Sequence, residues 1–86
     1  MGYALEFDPR GQREFDRLPS AVRARVKRKI DALCDDPRPR GVTKLAGSAN
    51  RYRLRVGPYR VLYAVIDERR IVIVAAVGTR QTVYDR

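Results

Sequence analysis

Histidine is absent from this 86-residue chain, and cysteine occurs once, at Cys34. A lone cysteine closes no internal disulfide, and one cysteine without histidine builds no Cys/His metal site. Without an imidazole to activate it, Cys34 reads as a small apolar filler near the end of a helix rather than as a nucleophile. Carboxylates are scarce as well, ten Asp and Glu against nineteen Lys and Arg, which leaves a net charge of +9. No apolar run approaches the ~18 residues of a membrane span, and the N-terminus lacks a signal-peptide core. Repeats and low-complexity tracts are missing too. A cytoplasmic protein with no cofactor and no membrane partner is expected.

What is present is a folded, strongly basic domain. Nearly half the residues are apolar (44%), too many for a basic disordered tail. The length suits a single domain over residues 1–86, burying somewhat over ~60% of the surface of its unfolded chain, so the core will be thin. A field of this sign attracts a polyanion, nucleic acid or anionic lipid.

The stretch Arg51 to Ile66, RYRLRVGPYRVLYAVI, organises the rest. As two strands joined at Gly57-Pro58, it sends Tyr52, Leu54 and Val56 to one face and Arg51, Arg53 and Arg55 to the other. A turn centred there sets Arg55 opposite Arg60, Leu54 opposite Val61 and Tyr52 opposite Tyr63. Like charges directly opposite destabilise a sheet, so a fold that gathers them has an anion to receive, and RNA phosphate is the working candidate. Arg60 shares its face with Leu62, Ala64 and Ile66, where a charge needs a partner or a purpose.

Around this hairpin the chain reads as strand, helix, helix, then three or four strands. Tyr3 to Phe7 alternates as a short strand. Asp8 and Pro9 start a helix that runs to about Leu18 and is weakened by Gly11. Ser20 is the expected cap of a stronger helix carrying Val22, Val26, Ile30 and Leu33 inward, with Arg23, Arg25, Lys27, Arg28 and Lys29 outward; Pro37 and Pro39 end it. Val42 to Leu45 reads as a short edge strand. Ile71 to Val77, IVIVAAV, is a continuous apolar run, expected in the middle of the sheet and covered on both faces. The fold class is α+β: an N-terminal strand and a two-helix hairpin packed on one face of a three- to four-stranded, mainly antiparallel sheet, with the arginines on the opposite face.

The order LP..VR.R...KI..L..DPR, then KL.G....YRLRVG.YRVLY.V.D, then V..VG.R..VY resembles the RelE/ParE superfamily of toxin–antitoxin toxins over nearly the whole chain, and the closing VGTRQTVY is closer to the RelE branch. The resemblance implies a small microbial-ribonuclease-like fold, a cut in messenger RNA at the ribosomal A site, and neutralisation by a cognate antitoxin. Operator DNA would be met only through the antitoxin complex. The working basic groups and the C-terminal tyrosine of the RelE branch fall on Arg53, Arg55, Arg60, Arg80 and Tyr84. Positions matching Arg53 and Arg55 are often lysines in well-known RelE toxins; arginine keeps the charge but does not readily trade a proton. Gyrase-inhibiting ParE relatives share the fold and usually lack part of this set. A non-catalytic gyrase inhibitor, or a degenerate toxin that binds only its antitoxin, are the alternative functions.

Cleavage of RNA by its own 2′-hydroxyl needs a base for that hydroxyl, cations around the phosphorane-like transition state and a proton for the departing 5′-oxygen. With no histidine, Tyr84 is the best candidate base, surrounding arginines stabilising its phenolate; stacking on a nucleobase is its other reading. Arg53, Arg55 and Arg60 would hold the non-bridging oxygens, with Arg80 near the leaving oxygen. Each residue has an ordinary alternative as a solvated strand arginine or a packed ring. Tyr3, Tyr52, Tyr59 and Tyr63 read as packing residues. The helix cations Arg23, Lys27 and Arg28 read first as a solvated face and second as contacts to ribosomal RNA phosphate.

Overall fold

The computed structural model describes residues 2–79, so Arg80 and Tyr84 lie outside the described residues. The chain runs β1 (Ala4–Phe7), α1 (Pro9–Asp16), α2 (Ser20–Ala32), β2 (Thr43–Lys44), β3 (Arg51–Val56), β4 (Tyr59–Ile66) and β5 (Ile71–Thr79). All five strands form one sheet in the order β1-β5-β4-β3-β2. β1 runs parallel to β5, and the other neighbours are antiparallel. The α+β layout is as expected, with one strand more because β1 joins the same sheet. The middle position belongs to β4 rather than to the apolar β5. β4 is the strand shared by two successive hairpins, so both partners flank it, and β5 lies one place out, between β4 and β1.

Asp8 caps α1 from an extended backbone, its carboxylate accepting from the Gly11 N–H at 2.8 Å, with Pro9 at the first helical position. The helix ends at Asp16, two residues before Leu18. Gly11 is more than a weak point in it. A Cβ built on Gly11 would overlap the Val74 carbonyl oxygen, so glycine lets the helix backbone lie directly against β5. The cap of α2 falls on Pro19, with Ser20 already inside the helix and no side-chain cap bond. Pro19 has its φ fixed near the required value, and its carbonyl takes the first helical bond, from the Arg23 N–H at 2.8 Å. The Arg23 guanidinium closes the end of α1 by donating to the Leu18 and Asp16 carbonyls.

Both helices cover one face of the sheet. Phe15, Leu18, Val26, Ile30 and Leu33 meet Tyr52, Val56 and Tyr63 and the valines of β4 and β5 in a single core. Between β4 and β5 the register slips by one, Leu62 facing Ala76 but Tyr63 facing Val74, so Ala75 is the extra residue of a β-bulge. The bulge inverts the alternation of β5. Val74 and Val77, an odd number of residues apart, both enter the helix-side core, and Ala76 joins Leu62 in a smaller cluster that Leu45 packs against. α1 supports this irregular stretch: Asp8 N–H donates to the Val74 carbonyl at 3.0 Å, and Glu14 Oε1 accepts from the Val77 N–H at 2.8 Å. Arg10 Nε holds the other Glu14 oxygen at 2.9 Å.

The far end of the sheet is tied by a tyrosine and arginine network. Tyr63 donates to the Pro37 carbonyl at 2.7 Å, and its ring stacks on Tyr52 with centroids 5.7 Å apart. Arg38 donates to the Tyr52 hydroxyl and to Asp67 Oδ2, while Tyr3 donates to Asp67 Oδ1. The loop after α2, the β4–β5 turn and the start of the chain thus share one polar knot. Tyr3, Tyr52 and Tyr63 take the packing roles expected of them. Burial pushes the Tyr63 phenol up, and the hydrogen bonds from Tyr3 and then Arg38 hold the Asp67 carboxyl below its ordinary value.

Two outcomes follow from these contacts. Gly11→Ala gains about 1 kcal/mol of helix propensity but forces a backbone clash that costs about 3 kcal/mol, so urea denaturation should show a net loss of about 2 kcal/mol; a gain in stability would contradict the close approach. Because the folded state depresses the Asp67 pKa, the stability it supplies is complete above the ordinary carboxylate pKa near 4 and is lost as pH falls through the lower, folded value. The pH-dependent part of the difference in thermal midpoint between wild type and Asp67→Asn should therefore be level at neutral pH and shrink below about pH 4.

Candidate functional site

Strand alternation builds the site. In β3, Tyr52 and Val56 are buried against the helices, which turns Arg51, Arg53 and Arg55 to the helix-free face. Gly57 takes φ 58° ahead of Pro58, the glycine-first arrangement of a II′-type hairpin, and this fixes the register. Arg55 faces Arg60, Leu54 faces Val61 and Tyr52 faces Tyr63, as the sequence predicts. On the outer side β2 adds Thr43, opposite Arg53.

These elements enclose a recess of about 90 Å³ lined by Gly41, Thr43, Arg53, Arg55 and Arg60. That volume is about three waters' worth, the scale of one phosphate group and far below that of a nucleoside. No carboxylate is among these lining residues, and neither Arg55 nor Arg60 has an ion-pair partner among the described residues. The carboxylates of the ion pairs described, Glu14, Asp31 and Asp67, sit elsewhere. Beside Arg60 lie the buried Leu62 and Ala76, an apolar floor that strengthens the field of the guanidiniums above it.

Chemically, the three guanidiniums of the recess donate and do not accept: they offer several N–H donors and stay charged. The recess is suited to hold the oxygens of a phosphate and to stabilise added negative charge on them. It holds no group that takes a proton at neutral pH. Tyr63 is buried on the other face, with its phenol pushed up. Cys34 is half-buried, its thiol pushed up by burial and then by Asp31 and Asp35. A base therefore has to come from elsewhere, and the residue expected in that role, Tyr84, lies outside the described residues, as does Arg80.

Of the sequence candidates, Arg53, Arg55 and Arg60 converge. Arg23, Lys27 and Arg28 do not join them, being on α2, across the sheet. Arg23 is engaged with carbonyls of α1's end, Lys27 pairs with Asp31 at 3.1 Å, and Arg28 is exposed. Sequence reasoning missed Thr43 and Gly41. Their place depends on how the loop from Leu45 to Asn50 returns β2 onto β3, and the only signal for it was the expected edge strand itself. Among the described residues no helix is long and apolar enough to cross a membrane, and no group of His, Cys, Asp and Glu is placed to hold a metal ion.

Residues 5–84 match the family model described as the ParE toxin of type II toxin–antitoxin system, parDE. The mRNA interferase toxin RelE of Escherichia coli (strain K12) is 40% identical over 83 residues, which cover 94% of this chain and 86% of that protein. The crystal structure of the intact E. coli RelBE toxin–antitoxin complex contains a chain that is 37% identical with a TM-score of 0.81, over 90% of this chain and 95% of that one. The isolated E. coli RelE toxin gives 0.82 at 37% identity, over 95% and 90% of the two chains. With a family model spanning nearly its whole length and relatives at this level of identity, the chain belongs to the RelE/ParE family of type II toxin–antitoxin toxins.

Proposed function

We infer that this protein is the toxin of a type II toxin–antitoxin system and acts as a ribosome-dependent endonuclease that cuts messenger RNA in the A site. The observation that carries this reading is the recess on the helix-free face that Arg53, Arg55 and Arg60 line together, with no carboxylate among the described lining residues. In the reaction, the 2′-oxygen of one nucleotide bonds to the adjacent phosphorus and the bond to the 5′-oxygen breaks. The products are a 2′,3′-cyclic phosphate and a 5′-hydroxyl. The 2′-proton passes to a base, assigned to Tyr84, and a proton is delivered to the departing 5′-oxygen, beside which Arg80 is assigned. The three recess arginines hold the non-bridging oxygens as the fifth bond to phosphorus forms.

A guanidinium-rich site is strong in charge and weak in proton transfer. Most of its advantage comes from holding the reactants in line, and the ribosome supplies that by fixing the message. Free RNA is then a poor substrate. The cations of α2, the exposed Arg28 and Lys27 together with the half-buried Arg23, suit contacts to ribosomal RNA phosphate. A cognate antitoxin with an acidic binding segment would neutralise the arginine face, in keeping with the toxin–antitoxin complexes solved for relatives. Operator DNA is reached only through that complex, and the cytoplasm is the compartment where all these partners meet. A second reading, a gyrase inhibitor without catalysis, draws on the ParE description of the matching family model.

Primer extension on message from a cell-free translation reaction separates the two. Cuts within codons should appear only on translating message. Arg60→Ala and Tyr84→Phe should each lower the cleavage rate by about 100-fold or more, the scale of one lost transition-state contact or proton acceptor. Intact message under continuing translation, with DNA supercoiling by gyrase inhibited, would establish the second reading instead.

A further inference from the structure

The recess has one side chain that is not a guanidinium. Thr43 stands on β2 directly opposite Arg53, so it shares the face of the arginines. It is exposed, and its hydroxyl makes no hydrogen bond among the described residues. β2 is only two residues long at the rim of the sheet, where valine would serve the strand as well as threonine. Packing therefore does not account for the hydroxyl.

Its position relative to the cations gives it a use. Across the sheet, Arg53 and Arg55 occupy β3, Arg60 lies one strand inward and Thr43 one strand outward. Two strand spacings, about 10 Å, separate β2 from β4. A phosphate held over β3 has Arg60 on one side and Thr43 on the other, with room for the attached sugar towards Thr43. Gly41 leads into β2 at φ 99° with open space where a Cβ would stand, which leaves that side of the recess unobstructed.

The donor and acceptor inventory is uneven in the same place. Phosphate oxygens only accept, and three guanidiniums answer them. A ribose 2′-hydroxyl donates as well as accepts, and a guanidinium has no acceptor to offer it. The Thr43 Oγ1 is the one side-chain acceptor lining the recess among the described residues.

We propose that Thr43 is a substrate-contacting residue, its Oγ1 accepting a hydrogen bond from the 2′-hydroxyl of the nucleotide whose phosphate is held by Arg53, Arg55 and Arg60. The inference rests on the ribonuclease reading above and adds to it the group that orients the nucleophile. That bond turns a lone pair of the 2′-oxygen towards phosphorus, and the proton leaves along it: Oγ1 takes the 2′-proton as it gives its own hydroxyl proton to the base. It also makes the site sensitive to ribose, since a 2′-deoxy sugar has nothing to donate.

Cleavage of message on programmed ribosomes by wild type, Thr43→Val and Thr43→Ser tests the assignment. Valine keeps the branched shape of the strand residue and removes the hydroxyl, so its thermal midpoint should match wild type. Its kcat should fall about tenfold, the worth of one hydrogen bond made in the transition state, with KM nearly unchanged. Serine should restore most of the rate. A valine variant as active as wild type, or a serine variant as slow as valine, overturns the role of the hydroxyl while leaving the ribonuclease intact. A wild type that cleaves nothing overturns the ribonuclease reading and this inference with it.

Discussion

Neighbouring side chains on a strand leave on opposite faces, and the structure depends on how β3 and β4 use that constraint. Tyr52, Val56, Val61, Tyr63 and Val65 share one face and require the cover that α1 and α2 supply. Arginines on the alternate positions of β3 have only the other face to occupy. Burying the first set forces the second together, with Arg55 and Arg60 directly opposed. The repulsion is held in place by the core on the far side of the same strands. Site and core are thus two consequences of one periodicity, and a one-residue slip of the hairpin would destroy both.

β5 departs from that periodicity and α1 accommodates the departure. The bulge at Ala75 places a small residue, Ala76, beside Leu62 and returns Val77 to the helix-side core. A bulge leaves backbone groups without ladder partners, and here the Glu14 carboxylate reaches the Val77 N–H. The contact needs α1 to lie very near the strand, which Gly11 permits. One of few carboxylates in a basic chain is therefore committed to the backbone. Asp67 is likewise committed to the knot with Tyr3 and Arg38, and neither is left to quench the recess.

Much of this was legible in the sequence because its determinants are local. The hairpin register followed from Gly57-Pro58 and the alternating arginines, the α1 cap from Asp8 and Pro9, and the buried stripe of α2 from the spacing of Val26, Ile30 and Leu33. Features set by contacts between distant segments were not legible. Gly11 looks like a flaw until Val74 is beside it. The shift at Ala75 is invisible in IVIVAAV, where every residue is apolar and no alternation remains to be broken. Ser20 has the chemistry of a cap, but Pro19 already supplies the turn. Thr43 gained its place only when the loop brought β2 beside Arg53. The uniform hydrophobicity of β5 also suggested the centre of the sheet, whereas connectivity gave that place to β4.

The parallel pairing of β1 with β5 bears on how the protein comes into being. Among the described strands β1 has no partner in the sheet except β5, with Ala4 waiting for Ile71 and Phe7 for Val74. Closing a loop of that length is a late and slow event in folding. During synthesis the helices and the arginine hairpin emerge before the strand that joins them to the N-terminus. A nascent chain therefore stays incomplete on the ribosome that is making it, and the finished sheet is postponed until β5 has been made.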